Sequence, residues 1–243
     1  MIKIDYSEKF SEFFDKILDK RKIDFIILHH IEAESLKEAV LLLKKHQVSS
    51  HFIIGDEGEI YNLVDENDVA YHAGVSNWQG FEGLNKNSIG IEFFNCDAFG
   101  KKFSKKQLRA GVELCLELMK KYKIAAKNVV GHSDIAYDCA TNLHNRKQDP
   151  SHLFDWKFFA ENGVGIFPSV KAENIKIFAL GDKDLAILKI KKSLNKIGYR
   201  VINFNNEFDQ EMQSLALVFN RKFLGSEIDF WTKKSQAFLD VLR

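Results

Sequence analysis

Proline and cysteine are both scarce: the 243 residues hold 2 prolines and 3 cysteines. Cys96, Cys115 and Cys139 are odd in number and irregularly spaced, which argues against a disulfide framework and suits free thiols in a reducing compartment. Neither sign of charge dominates. Lys and Arg total 35 against 34 Asp and Glu, a formal charge of +1, so the electrostatic footprint expected of a nucleic-acid or membrane-surface protein is missing. No apolar run is long enough to span a bilayer. The segment Met1 to Lys9 soon meets acidic residues and does not read as a signal peptide, which makes the cytoplasm the default expectation. Internal repeats, low-complexity tracts and the His-Glu-x-x-His helix of metallopeptidases are also absent.

What remains is the composition of a globular protein, 45% hydrophobic and 28% charged with 21 Phe. The length is enough for a sizeable core, as one domain plus a smaller appendage. The apolar spacing of Phe10, Phe13, Phe14, Ile17 and Leu18 predicts an amphipathic helix over Ser7 to Lys20. Asp24 to His29 follows as a strand whose Phe25 to Leu28 is apolar on both sides of the pleat, so it should be central in a sheet. Ser35 and Glu38 form a capping box for a helix through about Lys45. Val48 to Ile54 and Glu59 to Val64 read as strands about the turn Gly55-Asp56-Glu57-Gly58, and Ser88 to Phe94 as another. A long helix opens at Ser104, with Gln107 completing a capping box, and runs to about Tyr122; a last short strand covers Asn128 to Gly131.

Strands and helices thus alternate through residue 167, an α/β pattern with a mixed central β-sheet flanked by helices. Residues 168–182 read as a linker. Residues 183–243 carry three helical patterns, Lys183–Ile197, Glu207–Phe223 and Phe230–Leu242, as a small C-terminal module.

Three polar side chains follow or interrupt these elements in a way that suggests chemistry. His29 ends the buried strand, His132 follows Val129-Val130-Gly131, and Asp149 lies in Arg146-Lys147-Gln148-Asp149-Pro150. Two neutral imidazoles and a carboxylate are the protein half of an open zinc site, its fourth position left for a water that zinc acidifies to a pKa near 7. Taken alone, a strand-end histidine is more often a hydrogen-bonded core residue, and Arg146 to Asp149 could be an exposed basic loop. His30 alternates to the opposite side of the strand. Lys147 shares a side with Asp149 in extended chain, and its ammonium could stabilise an oxyanion. Glu92, inside Ile89-Gly90-Ile91-Glu92-Phe93, is costly to bury unless paired or functional; it is either a salt-bridged sheet residue or a general base.

Several short motifs occur in order: His29, Val48-Ser49-Ser50-His51-Phe52, Ala70-Tyr71-His72-Ala73-Gly74, Asn85 to Glu92, Gly131-His132-Ser133-Asp134-Ile135-Ala136 and Arg146 to Pro150. Together they resemble the zinc-dependent N-acetylmuramoyl-L-alanine amidases of the AmpD/AmiD type, the amidase-2 family, over about Phe25 to Pro168. Trp78 adds to the similarity, and the helical tail weakly resembles a peptidoglycan-binding module. The resemblance implies one Zn2+ per chain on His29, His132 and Asp149, with Glu92 as catalytic acid/base and Lys147 polarising the carbonyl. It further implies His72 and Asn85 at the substrate. The bond cleaved would join N-acetylmuramic acid, or its anhydro form, to L-alanine of the stem peptide. The expected partners are peptidoglycan fragments or (anhydro)muropeptides, with no nucleic acid, no membrane span and a monomeric chain. A non-catalytic peptidoglycan-binding protein on the same fold is the alternative. Similarity to AmiD leaves the periplasm open as the compartment. One departure from the family pattern is the longer stretch Tyr137 to Asn145, which offers Asp138, Cys139 and His144 as rival ligands, Cys139 foremost.

Overall fold

The computed structural model describes residues 2–7, 12–95 and 100–243. In chain order the elements are β1 (Ile4–Asp5), β2 (Phe14–Asp15), β3 (Phe25–Glu32), α1 (Leu36–Lys45), β4 (Phe52–Ile54), β5 (Ile60–Asn62), β6 (Val69–Ala70), β7 (Asn77–Trp78), β8 (Phe81–Glu82) and β9 (Ser88–Asn95). They continue with α2 (Lys105–Tyr122), β10 (Val129–Gly131), α3 (His132–Ile135), α4 (Trp156–Glu161), β11 (Lys176–Phe178), α5 (Leu185–Ile197), α6 (Gln210–Phe223), β12 (Trp231–Thr232) and α7 (Lys233–Leu242). The chain divides into two compact units, residues 1–74, 83–132 and 149–166 in the first, and 75–82, 133–148 and 167–243 in the second.

The first unit is built on a mixed six-stranded sheet of order β1-β5-β4-β9-β3-β10. Only β4 and β5 pair antiparallel, around the turn at Gly55 to Gly58; β3, β9 and β10 run parallel. β3 lies between β9 and β10, and Ile26, Ile27 and Leu28 are fully buried, as a parallel strand covered on both faces must be. Each such side chain contributes about 1.5–3 kcal/mol of hydrophobic stabilisation. On one face Phe93 packs edge-on against Phe103, Phe154 and Phe159. α2 approaches this face at Gly111, where a Cβ would stand 2.6 Å from the Phe93 ring. On the other face Ala39 and Leu43 of α1 join Ile53 and Phe94 in a second cluster.

The two long helices of this unit start where the sequence implies, but with altered caps. The Ser35 hydroxyl accepts from the Glu38 amide at 3.2 Å, whereas the Glu38 carboxylate accepts from the amide of Glu34, one residue before the cap. Ser104 accepts from the Gln107 amide at 3.0 Å. The Gln107 side chain turns inward and donates to the carbonyls of Ile54 (3.0 Å) and Phe94 (2.8 Å), a sheet-to-helix tie in place of the reciprocal cap.

The expected helix over Ser7 to Lys20 is not formed in residues 12–20; residues 8–11 lie outside the described residues, as does Cys96. Phe13 has φ 61°, incompatible with a right-handed helix, and Phe14–Asp15 pair antiparallel with Val69–Ala70. Phe13 and Phe14 pack against the α1 cluster instead, while Leu18 is 96% exposed, and the Phe13 carbonyl accepts from Ser49 Oγ at 2.6 Å. The strand expected from Val48 begins only at Phe52, because Ser49 spends its hydroxyl on Phe13 and Tyr71 rather than on sheet packing.

In the second unit α5, α6 and α7 enclose Phe219, Phe223, Trp231 and Phe238, with Phe167 against the last. Residues 168–182 carry β11, which pairs antiparallel with β12. Thr232 ends β12 and caps α7, which therefore starts three residues later than the pattern from Phe230 suggests. Charged groups are buried here in pairs: Lys191 with Asp209 (2.8 Å) and Lys222 with Asp134 (2.7 Å). No helix among the described residues is long and apolar enough to cross a membrane.

Candidate metal centre

Parallel pairing brings the site's residues together. β3 and β9 pair His29 with Glu92, and β3 and β10 pair Leu28 with Gly131, so His132 follows one step beyond at the end of its strand. Carboxyl ends of parallel strands are where an α/β sheet presents side chains to a ligand. Asp149 joins them from the segment leading to α4. His29 Nδ1 and His132 Nδ1 lie 3.1 Å apart, and Asp149 Oδ2 is 3.2 Å from the first and 3.0 Å from the second. Among the described residues this is the group of three or more His, Cys, Asp or Glu whose ligand atoms converge, all within 4.8 Å of one another.

The donor set fits a divalent cation. His132 Nε2 is 3.2 Å from the carbonyl of Ala73, an obligate acceptor, so the ring proton sits on Nε2 and Nδ1 presents a lone pair. That lone pair faces a carboxylate oxygen and a second imidazole nitrogen inside a buried site. Electron-rich atoms so close repel unless a positive charge lies among them. Two imidazoles and one carboxylate are the ligands of an open, catalytic type of zinc site.

Glu92 is 8% exposed, on the same face of the sheet as His29 and beside it in the ladder. His30 points the opposite way and packs against Phe103 at a tilt of 57°, ring centroids 4.6 Å apart. His72 is buried, its Nδ1 3.0 Å from His29 Nε2 and its Nε2 3.2 Å from Ser88 Oγ. Burial is the largest cause that keeps His72 well below the usual histidine value, so the ring is neutral. Asn85 Oδ1 accepts from the amides of His72 (3.1 Å) and Ala73 (2.7 Å). Lys147 belongs to the second unit, where its carbonyl accepts from Arg221 at 3.3 Å.

The rival ligands also lie in the second unit and outside the converging trio. Asp138 spends its carboxylate on the Ala140 amide and the Thr141 hydroxyl. His144 is buried, its amide donating to Ser214 Oγ, and Cys139 is exposed.

Three further contributors support the site, of which His51 and Gly90 stand in the motifs quoted above without a role assigned there. Arg21 donates to the carbonyls of Glu66 (2.9 Å), Asn85 (3.1 Å) and Ser88 (3.0 Å), tying the strap before β3 to the segment under His72; nothing in Lys20-Arg21-Lys22 marks it. His51 takes the Gly90 amide on Nδ1 at 3.0 Å, which braces the strand beneath the same ring. Gly90 leaves the space His72 occupies: a Cβ there would stand 2.5 Å from its Cγ. The small residue opposite a large buried one was the available signal.

The family model Amidase_2, N-acetylmuramoyl-L-alanine amidase, matches residues 19–152. The N-acetylmuramoyl-L-alanine amidase AmiD of Escherichia coli K12 is 33% identical over 163 residues, 61% of this chain and 56% of AmiD. The 1,6-anhydro-N-acetylmuramyl-L-alanine amidase AmpD of the same organism is 41% identical over 113 residues, 46% of this chain and 57% of AmpD. The chain thus spans little more than half the length of these two curated relatives. The solved complex of E. coli AmiD with the substrate anhydro-N-acetylmuramic acid-L-Ala-D-gamma-Glu-L-Lys has the same fold, with TM-score 0.75 and 25% identity over 94% of this chain and 91% of that one. With its mixed sheet, its converging His29, His132 and Asp149, and a family match that takes in all three, the chain belongs to the Amidase_2 family of N-acetylmuramoyl-L-alanine amidases.

Proposed function

We propose that this protein hydrolyses the amide between the lactyl carbonyl of N-acetylmuramic acid, in its anhydro form or otherwise, and L-alanine of the stem peptide. The observation that carries the reading is the convergence of His29 Nδ1, His132 Nδ1 and Asp149 Oδ2 within 3.2 Å of one another. These atoms would hold one Zn2+, whose Lewis acidity activates water and polarises a carbonyl oxygen. The substrate class is supported by the AmiD complex, which holds an anhydro-muropeptide.

The remaining steps fall to the chain's own groups. Glu92, beside His29 in the ladder, takes a proton from the attacking water and returns it to the alanine nitrogen as the C–N bond breaks. The Lys147 ammonium stabilises the oxyanion that develops on the carbonyl. Fixed groups that meet charge only as it develops lower the barrier more than groups that bind the ground state equally well.

The test is incubation of purified protein with anhydro-muropeptide, reducing muropeptide and intact sacculi, with and without chelator, reading free peptide. Zinc-dependent release of an L-alanine-terminated peptide is expected. Glu92→Ala should lose at least about 100-fold in turnover with zinc still bound. Full turnover in that variant would remove the general base, and binding without turnover in the wild type would make the protein a recognition module instead.

A further inference from the structure

The hydrogen bonds beneath the two histidine ligands run in one direction only, and that direction can be read from its far end. The Leu84 carbonyl can only accept, and it takes the single proton of the Ser88 hydroxyl at 2.6 Å. Ser88 Oγ, its proton committed, must accept from His72 Nε2 at 3.2 Å. His72 therefore carries its proton on Nε2, and its Nδ1 is an acceptor. The partner of that Nδ1 is His29 Nε2 at 3.0 Å, which must be the donor. His29 Nδ1 is thereby left with its lone pair, and it is this atom that meets His132 and Asp149.

The second ligand is set from the next residue along. The Ala73 carbonyl accepts the Nε2 proton of His132 at 3.2 Å, which leaves the His132 Nδ1 lone pair on the same three-atom meeting point. A single dipeptide thus orients both imidazoles, through a side chain for one and a carbonyl for the other. Its backbone is clamped, because Asn85 Oδ1 accepts from both the His72 and the Ala73 amide. Its ring is seated on bare backbone at Gly90, where any Cβ would collide.

We propose that His72–Ala73, clamped by Asn85 and seated on Gly90, is the positioning element that fixes the tautomer and the aim of both histidine ligands. On this assignment His72 and Asn85 act through the ligands and not by touching substrate. A neutral histidine receiving the ligand's N–H is a softer acceptor than the carboxylate often found there, so the ligand gains orientation with less added negative charge. The inference rests on the zinc reading for its consequence; what the hydrogen bonds fix by themselves is the proton on Nε2 of each ring.

The experiment uses full-length protein and two readouts: zinc affinity by competition with a chromogenic chelator, and long-range 15N–1H correlation of the histidine rings, in metal-free and zinc-loaded samples. Wild type should show His29, His72 and His132 protonated on Nε2 before zinc is added. His72→Ala should weaken zinc binding by about 10–100-fold, the range for loss of a group that orients a metal ligand. His72→Asn, whose amide oxygen can reach the Nδ1 position, should recover most of it. Asn85→Ala should weaken zinc while Asn85→Asp, which keeps the double acceptor, should not. Far-UV circular dichroism confirms that each variant compared is folded. His72→Ala binding zinc within twofold of wild type, or His29 without a proton on Nε2, overturns the inference. Wild type that shows the stated tautomers but binds no zinc would leave the positioning assignment standing and sink the amidase reading.

Discussion

Replacing Lys222 by Met removes one ion of a buried pair while keeping the length of the side chain. Lys222 Nζ lies 2.7 Å from Asp134 Oδ2, and Tyr199 donates to Asp134 Oδ1 at 2.9 Å. Asp134 is 1% exposed and Lys222 8%. At that separation, with an effective dielectric of about 20, the attraction is roughly 6 kcal/mol. Desolvating two ions costs several kcal/mol each, so the intact pair adds little net stability over a well-packed apolar substitute. Lys222→Met takes the ammonium away from a carboxylate that stays buried, and loss of one partner costs about 3–5 kcal/mol. A melting temperature lower by roughly 10 °C is expected for a chain of this size. Urea titration followed by tryptophan fluorescence reads the loss, since Trp78 sits edge-on to Tyr199 with ring centroids 4.9 Å apart. The double variant Asp134→Asn, Lys222→Met should be more stable than Lys222→Met alone, because no ion is then stranded. A single-variant loss under about 1 kcal/mol, or a double variant whose loss equals the sum of the singles, would refute the account.

Tyr199 is pushed well above the ordinary phenol value of 10, by burial first and then by Asp134. The folded protein keeps a proton that the unfolded chain releases, so stability should fall as pH rises above 10, and Tyr199→Phe should flatten that fall in denaturant titrations. His51 and His144 lie at about 3 and about 4, burial being the largest cause in each and the Arg21 or Arg200 charge adding to it. Both stay neutral where the unfolded chain would be protonated, so stability should be complete above pH 6.5 and drain as pH falls toward 4. His144→Gln should reduce the slope in that window; an unchanged slope would count against the burial argument. Zinc in excess of its dissociation constant by about 1,000-fold should stabilise the folded state by ~4 kcal/mol over chelator-treated protein. Scanning calorimetry with no zinc-dependent shift would speak against a site at His29, His132 and Asp149.

The parts of the fold that were legible in the sequence are those decided by burial over several residues. Phe25 to Leu28, apolar on both sides of the pleat, could be satisfied only inside a sheet, and the strand has neighbours on both edges. Ser35 and Ser104 marked helix starts because their hydroxyls meet local amides, an interaction that needs no distant partner. Elements decided by distant partners were not legible. The spacing of Phe13, Phe14 and Ile17 fits a helical face, yet apolar spacing alone cannot tell a helix from a strap whose rings enter a neighbouring cluster. The Ile17 amide donating to the Asp68 carboxylate and the pairing of Phe14–Asp15 with Val69–Ala70 outweigh local propensity there.

The same distinction divides the site. His29 and His132 could be singled out because each follows an apolar run, Phe25 to Leu28 or Val129 to Gly131, and the sheet's parallel register carries them to one place, although β3 continues past His29 to Glu32. Which nitrogen each offers is another matter, since it depends on a proton whose position is set by the Leu84 carbonyl, two side chains removed from His29. No local pattern encodes that order. It becomes readable only when Gly90, Ser88 and His72 are seen in contact, because each admits one role once its neighbour's is fixed. A metal site's ligands can therefore be found from sequence when strands deliver them, while the groups that aim those ligands have to be traced through the fold from an end whose hydrogen-bonding role is unambiguous.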